Sequence, residues 1–261
     1  MEKSLIKYDL KKMFKVLNIY FILSILVGGI ARFFGQFHNI AIMRILYIIF
    51  SSIEYSIWGG ILVQTFVRII ICFNLNFYGD ESYLTHTLPV TKNQLLLSKY
   101  ISGLITIFSS VIVLSISVFI MFYSKINIEN LNNLLKISAN ELNISVVPFI
   151  LLIILTLFAE ICAIMSMCFS GIIIGKRFNT KKTLKSIFFI ATFYIVSIIL
   201  MLIIAIIVFA CIGNLNELFA NTISGKNLLI LLTIAIISYI IFSIVFYFVS
   251  KWQFEKGVNV Y

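Results

Sequence analysis

An all-α integral membrane protein with six transmembrane helices is the fold class this sequence predicts, and three observations predict it. Hydrophobic residues make up 61% of the 261 positions and charged residues only 11%, where a soluble domain carries about 25% charged residues. Mean hydropathy is +1.10. Apolar runs recur along the chain at the length, about 20 residues, that crosses a hydrocarbon core.

Residues Leu5–Leu17 predict an amphipathic helix, its interfacial part taken as residues 1–15. Ile6, Leu10, Met13, Phe14 and Leu17 share one face, and Lys7, Lys11, Lys12 and Lys15 share the other. That pattern suits a basic helix lying in the headgroup layer before the first span turns into the membrane. The lysine-rich start and the later "GGIA" imitate a secretory signal, but both the lead, which contains Asp9, and the apolar run are too long. An uncleaved first helix is expected.

The spans run over Val16–Phe34, Ile45–Phe73, Leu95–Tyr123, Ile144–Ser170, Ile187–Ile212 and Leu228–Ser250. The second is long for a bilayer. Arg44 and Arg68 bracket about 35 Å of helix at 1.5 Å per residue, so the helix is expected to continue past Arg68. Six spans place both termini on one side, and the cations say which. Of the twenty lysines and arginines, only Arg32, Arg44, Lys125, Lys136 and Lys226 fall on the side opposite the termini. Positive residues stay inside, so both termini and the second and fourth loops are expected to be cytoplasmic. The other loops are short. With no internal repeat or linker apparent, residues 1–261 read as one transmembrane domain.

The net charge of +10 fits topology-setting lysines and anionic lipid headgroups rather than nucleic acid. Cys72, Cys162, Cys168 and Cys211 sit in or beside apolar runs without metal spacing, which predicts free thiols. "GIIIGKR" at Gly171–Arg177 resembles a phosphate loop but is one residue short and lacks the Ser/Thr that holds magnesium. His38 and His86, the two histidines, fall in loops on opposite sides. No metal site, no catalytic triad and no nucleotide hydrolysis by this chain are expected.

Among the polar side chains within the spans, Glu54, Gln64, Arg68 and Glu160 are the intramembrane candidates for a functional role. Such groups are expensive at membrane depth. Glu54 and Glu160 serve either a polar pathway or proton relay, or a structural or gating role in which each finds a buried donor or stays protonated. Ser52, Ser56 and Gly60 recur at four-residue spacing with Gln64 next on that face. This is a small-residue stripe for close helix contact, within one chain or between protomers.

One polar segment is densely punctuated: "FYGDESYLTHTLPVTKNQLLLSK", Phe77–Lys99. Gly79 can end the second helix, and Asp80 is a good N-cap for a short helix over Glu81–Thr87. Pro89 disfavours helical geometry at Leu88. Thr91 and Gln94 form a capping-box pattern that starts the third span. Tyr83, Leu84 and Thr87 fall on one side of the short helix, more apolar than a solvated connector needs.

These residues resemble the permease subunits of ABC-2-type exporters from Gram-positive bacteria. The likeness lies in "LIKYDLKKMFKVL" at the start and in "NFYGDESYLTHTLPVTKNQLLLSKYI", about a fifth of the chain, with topology carrying the rest. The resemblance implies a half-transporter, in which a second permease chain, identical or related, completes the path. Two cytoplasmic ATPase subunits would bind ATP and Mg, with no cofactor in this chain. Residues 79–91 would be the coupling-helix loop: Tyr83, Leu84, Thr85 and His86 in the ATPase groove, Asp80 and Glu81 at its rim or capping the helix, then Thr87, Leu88 and Pro89. The family often adds a re-entrant hairpin before its last span, for which Asn214–Asn227 is the only place. The implied location is the bacterial cell membrane, and the cargo class an amphipathic or hydrophobic peptide, antimicrobial or lipid. A membrane sensor or immunity protein for antimicrobial peptides is the alternative. An intramembrane enzyme would require Glu54 and Glu160 to converge.

Overall fold

A computed structural model of the chain describes residues 2–37, 40–79, 81–87, 89–123, 133, 135–137, 139–140, 142, 144–178, 180–213 and 224–256. Among these residues there are seven α-helices and no strand. Six of the helices are long and apolar enough to cross a membrane. The chain forms two compact units, Met1–Glu129 and Asn130–Tyr261.

The first unit contains α1 (Glu2–Gly35), α2 (Ala41–Tyr78), α3 (Ser82–Thr87) and α4 (Lys92–Phe122). The central helix is α1, which packs along both α2 and α4, while those two meet over a shorter stretch. The turn expected between an interfacial segment and the first span is absent, because α1 is one helix of 34 residues. Its apolar face gives the physical reason. Met13 and Leu17 are buried, so the stripe that begins in the lysine-rich turns continues without interruption into the packed interior. Leu17 and Phe21 form a core with Ile61 of α2, flanked by Val113 and Leu114 of α4.

Length alone carries α2 beyond the bilayer. Its 38 residues span about 57 Å at 1.5 Å per residue, against a hydrocarbon core of about 30 Å, and it does continue past Arg68. The expected capping box starts α4. Gln94 N–H donates to Thr91 Oγ1 at 3.3 Å, and Thr91 N–H donates back to Gln94 Oε1 at 3.0 Å. Two otherwise orphaned donors at the helix start are thereby satisfied.

The second unit contains α5 (Val146–Lys176), α6 (Lys182–Ile212) and α7 (Gly225–Glu255). It repeats the arrangement of the first: its leading long helix, α5, packs along both others, which touch each other little. Asn214–Asn227, the place for a re-entrant hairpin, falls mostly outside the described residues, and its last three residues already belong to α7. Gly213 ends α6 in the left-handed region at φ 82°, a conformation that L side chains rarely adopt.

The phosphate-loop look-alike resolves into packing. Gly171 and Gly175 let the α6 backbone come so close that a Cβ on Gly175 would lie 2.3 Å from Ser186 Cα. One on Gly171 would lie 2.5 Å from the Ile190 side chain. This is a small-xxx-small contact, by which helices gain van der Waals attraction where lipid removes the hydrophobic drive between them. On the other side of α5, Ser170 Oγ donates to Phe246 O at 2.7 Å and sits 2.8 Å from Ser250 Oγ of α7. Arg177 donates to Gln253 near the same ends.

The close approach predicts a measurable cost. Gly175→Ala should destabilise the folded protein by about 1–3 kcal/mol, the range for overpacking, read as a lower thermal midpoint in detergent. Gly29→Ala, where an added Cβ meets nothing within 4 Å, should leave the midpoint unchanged or slightly raised.

Candidate functional site

The polar chemistry of the first unit lies along α4. Ser98, Ser102, Thr106, Ser110 and Ser117 are each at most 1% exposed, and the first four follow one another at the four-residue spacing of a single helix face. Most of these hydroxyls bond back to the carbonyl three or four residues earlier, for example Ser110 to Thr106 O at 2.9 Å. Several also reach across. Ser110 and Thr65 of α2 lie 2.8 Å apart, and Thr106 lies 3.2 Å from Met13 Sδ of α1.

At one end of this line is a buried ion pair. Lys99 Nζ of α4 lies 2.6 Å from both oxygens of Asp9 on α1. Asn76 Nδ2 of α2 donates to Asp9 Oδ1 at 2.9 Å, and the Cys72 thiol adds a long contact at 3.6 Å. The two charged side chains are only 5% and 1% exposed. Three helices therefore meet on one carboxylate. All four cysteines are free thiols.

About 22 Å further along α1, at 1.5 Å per residue, lies a second cluster. Glu54 of α2 is fully buried. Its Oε1 lies 2.6 Å from Ser24 Oγ of α1 and 2.5 Å from Ser117 Oγ of α4. Ser24 and Ser117 are themselves 2.7 Å apart, and Trp58 Nε1 donates to Ser117 at 2.8 Å. Glu54 Oε2 is buried with no hydrogen-bond partner. Gly28 of α1 lies alongside, where an added Cβ would sit in ordinary contact, 3.6 Å from Glu54 Oε1. Pairing with buried donors is the structural role open to this carboxyl.

The short helix between the long ones is present, as α3. The chain leaves α2 at Gly79 and turns at once, with Ser82 N–H donating to Gly79 O at 2.9 Å. Ser82 is buried while Tyr83 is 76% exposed. Thr87 and Pro89 are exposed. Glu81, just before the helix, pairs with Lys12 of α1 at 2.5 Å. Asp80 and Leu88 lie outside the described residues, as do the side chains of Leu84, Thr85 and His86. The first turns of α1 thus hold the approach to α3 as well as the ends of α2 and α4.

The remaining candidates separate. Ser52 and Ser56 are exposed, and each bonds to a carbonyl of its own helix, at 2.8 and 3.0 Å. Gly60 alone of that stripe meets another helix, with Tyr20 of α1 3.6 Å from where its Cβ would stand. Gln64 is half-buried, and Arg68 keeps a buried Nε without a partner among the described residues. Glu160 belongs to the second unit. It lines a cavity of about 40 Å³ with Tyr194, Ser197, Met201 and Tyr239.

Two features escaped the sequence reading. Asp9 falls three residues after Ile6 and four before Met13, on the apolar face of its helix, and a carboxylate there must find a buried partner. The hydroxyl stripe of α4 has the same spacing as the stripe singled out on α2, but it is the one that carries the packing.

Removing one partner of a buried ion pair costs about 3–5 kcal/mol, because the survivor is left uncompensated. Asp9→Ala and Lys99→Ala should each lose stability in that range. Asp9→Leu combined with Lys99→Met should recover most of it, as read by thermal unfolding of the purified protein. Comparison with family models, curated proteins and solved structures found no match to this chain, so the reading of these clusters rests on their own geometry.

Proposed function

We propose that the chain is the membrane-spanning subunit of an ATP-driven exporter of the ABC-2 type, with α3 as its coupling helix. The observation that carries this reading is a short helix between two long membrane helices, with a tyrosine three-quarters exposed. An aromatic ring held out in this way suits insertion into a partner's groove. The likeness of residues 79–91 to the coupling loop of such permeases supports the same reading, as does the clustering of lysines and arginines on that side.

In this reading α3 and both termini face the cytoplasm of a bacterial cell. Two ATPase subunits that bind ATP and Mg dock beneath, and a second permease chain completes the path for an amphipathic or hydrophobic cargo. ATP binding closes the ATPase pair and displaces α3. Its neighbours α2 and α4 tilt with it, and Lys12, through Glu81, carries the movement to α1. The chemistry of hydrolysis stays in the partner.

The test is co-expression with a P-loop ABC ATPase, should one be encoded beside this gene, followed by purification and ATP turnover. A central aromatic anchor is worth about 2 kcal/mol or more, so Tyr83→Asp should weaken the complex about thirtyfold. Stimulated turnover should be lost while the helical content stays intact. Undiminished turnover and co-purification in that variant would overturn the docking role of α3. Failure of any ATPase to co-purify with the unaltered chain would favour a sensor or immunity protein.

A further inference from the structure

Glu54 raises a question of hydrogen count that the exporter reading does not answer. Three oxygens, Glu54 Oε1, Ser24 Oγ and Ser117 Oγ, form a closed triangle with edges of 2.5, 2.6 and 2.7 Å. Each edge is within hydrogen-bond distance, so each needs one hydrogen between its oxygens. Two serine hydroxyls supply two. Trp58 adds none to the triangle, because its N–H points into it from outside, onto Ser117.

If Glu54 were ionised, both hydroxyls would turn to Oε1. Ser24 and Ser117 would then face each other at 2.7 Å with only lone pairs between them. Glu54 Oε2 would share a full negative charge while buried and without a donor, a heavy cost in this setting. A proton on Oε1 removes both defects. Glu54 donates to Ser24, Ser24 to Ser117, and Ser117 back to Glu54, while Oε2 becomes the neutral carbonyl oxygen, which tolerates a missing partner far better.

We infer that the Glu54–Ser24–Ser117 triangle is an intramembrane proton-binding site, occupied in this helix arrangement by a proton on the Glu54 carboxyl group. No salt bridge to Glu54 forms among the described residues. The flanking groups are accounted for by element. On α1, Tyr20 packs beside Gly60 and Arg32 lies 4.7 Å over the Tyr123 ring. On α2, the ring of Tyr55 pairs with Trp58, and Tyr47 and Arg68 are about two and about four turns away along the helix. On α4 there is no titratable residue between Tyr100 and Tyr123. The proton also acts as a latch, since it completes a ring contributed by all three long helices of the unit. Its release requires water or a donor to reach Oε2, and hence a parting of α1, α2 and α4.

The experiment is infrared difference spectroscopy on the full chain in lipid nanodiscs at neutral pH. A carboxylic-acid C=O band should appear in the unaltered protein, vanish in Glu54→Gln, persist in Glu160→Gln and shift in Ser24→Ala. Loss of a donor partner is what moves it in the last variant. An identical spectrum for Glu54→Gln in that region overturns the inference. Should Glu54→Gln fail to fold, ¹³C NMR of glutamate carboxyls in the unaltered protein decides instead. A resonance at the protonated position supports the site, and carboxylate positions for every glutamate overturn it. Neither readout depends on a transported cargo or on an ATPase.

Discussion

Asp9 is a carboxylate on the apolar face of a helix, and the first unit is organised around the need to compensate it. In a setting poor in water, an isolated charge of this size is not sustainable. Lys99 supplies the opposite charge from α4 and Asn76 a hydrogen bond from α2. Each of the three long helices is thus held at one level by the same group. Once that level is set, the four-residue spacing of helix faces determines the contacts further along the helices. Thr106 comes opposite Met13, Ser110 opposite Thr65, and Ser117 opposite Ser24 and Glu54. A slip of one residue would move Asp9 off its partners, so register and charge compensation are the same constraint.

The two units solve the problem of helix association in different ways. Lipid chains are as apolar as leucine, so helices inside a membrane gain little from burying leucine against each other. The first unit uses hydroxyls, which satisfy their own helix and reach a neighbour at the same time. The second adds missing side chains to the hydroxyl contact of Ser170 with α7: Gly171 and Gly175 bring α5 and α6 to a separation that no Cβ would allow. The first kind of contact has discrete partners that can be exchanged, for instance with water. The second consists of surface fit and has no alternative partner.

Much of this architecture was legible in the sequence. Hydrophobic run lengths locate all six long helices, and Thr91 with Gln94 announces the start of α4 because a capping box is a local signal. Gly79 and Pro89 bracket α3 for the same reason. The continuity of α1 was not legible, because an amphipathic basic start is compatible both with a headgroup layer and with a protein neighbour. Only the buried position of Asp9 decides between them. Among the described residues, Ser52 and Ser56 make no contact with another helix of this chain, for a related reason. Small residues at helical spacing mark a face that permits contact, whereas which face is used depends on partners such as Glu54 and Thr65 that point elsewhere. The "GIIIGKR" segment reads as a rejected phosphate loop and a helix end, while the spacing of four between its glycines is also that of a packing seam.

The order of α3 itself has to come from its surroundings. Six residues make fewer than two turns, well below the length at which a helix is stable alone. What defines it is the bond from Ser82 to Gly79 on one side and the capped start of α4 on the other. Lys12 adds a tie through Glu81, a half-buried ion pair still open enough to water that it contributes little to stability. A weak tie is still a positional one. Lys12 lies less than one turn from Asp9 on the same helix, so α3 is referred to the most firmly compensated point in the unit. In the exporter reading this matters more than the stability of α3. A partner that moves Tyr83 acts on an element joined directly to α2, leading into α4 and braced from α1, and those are the helices that close around Glu54.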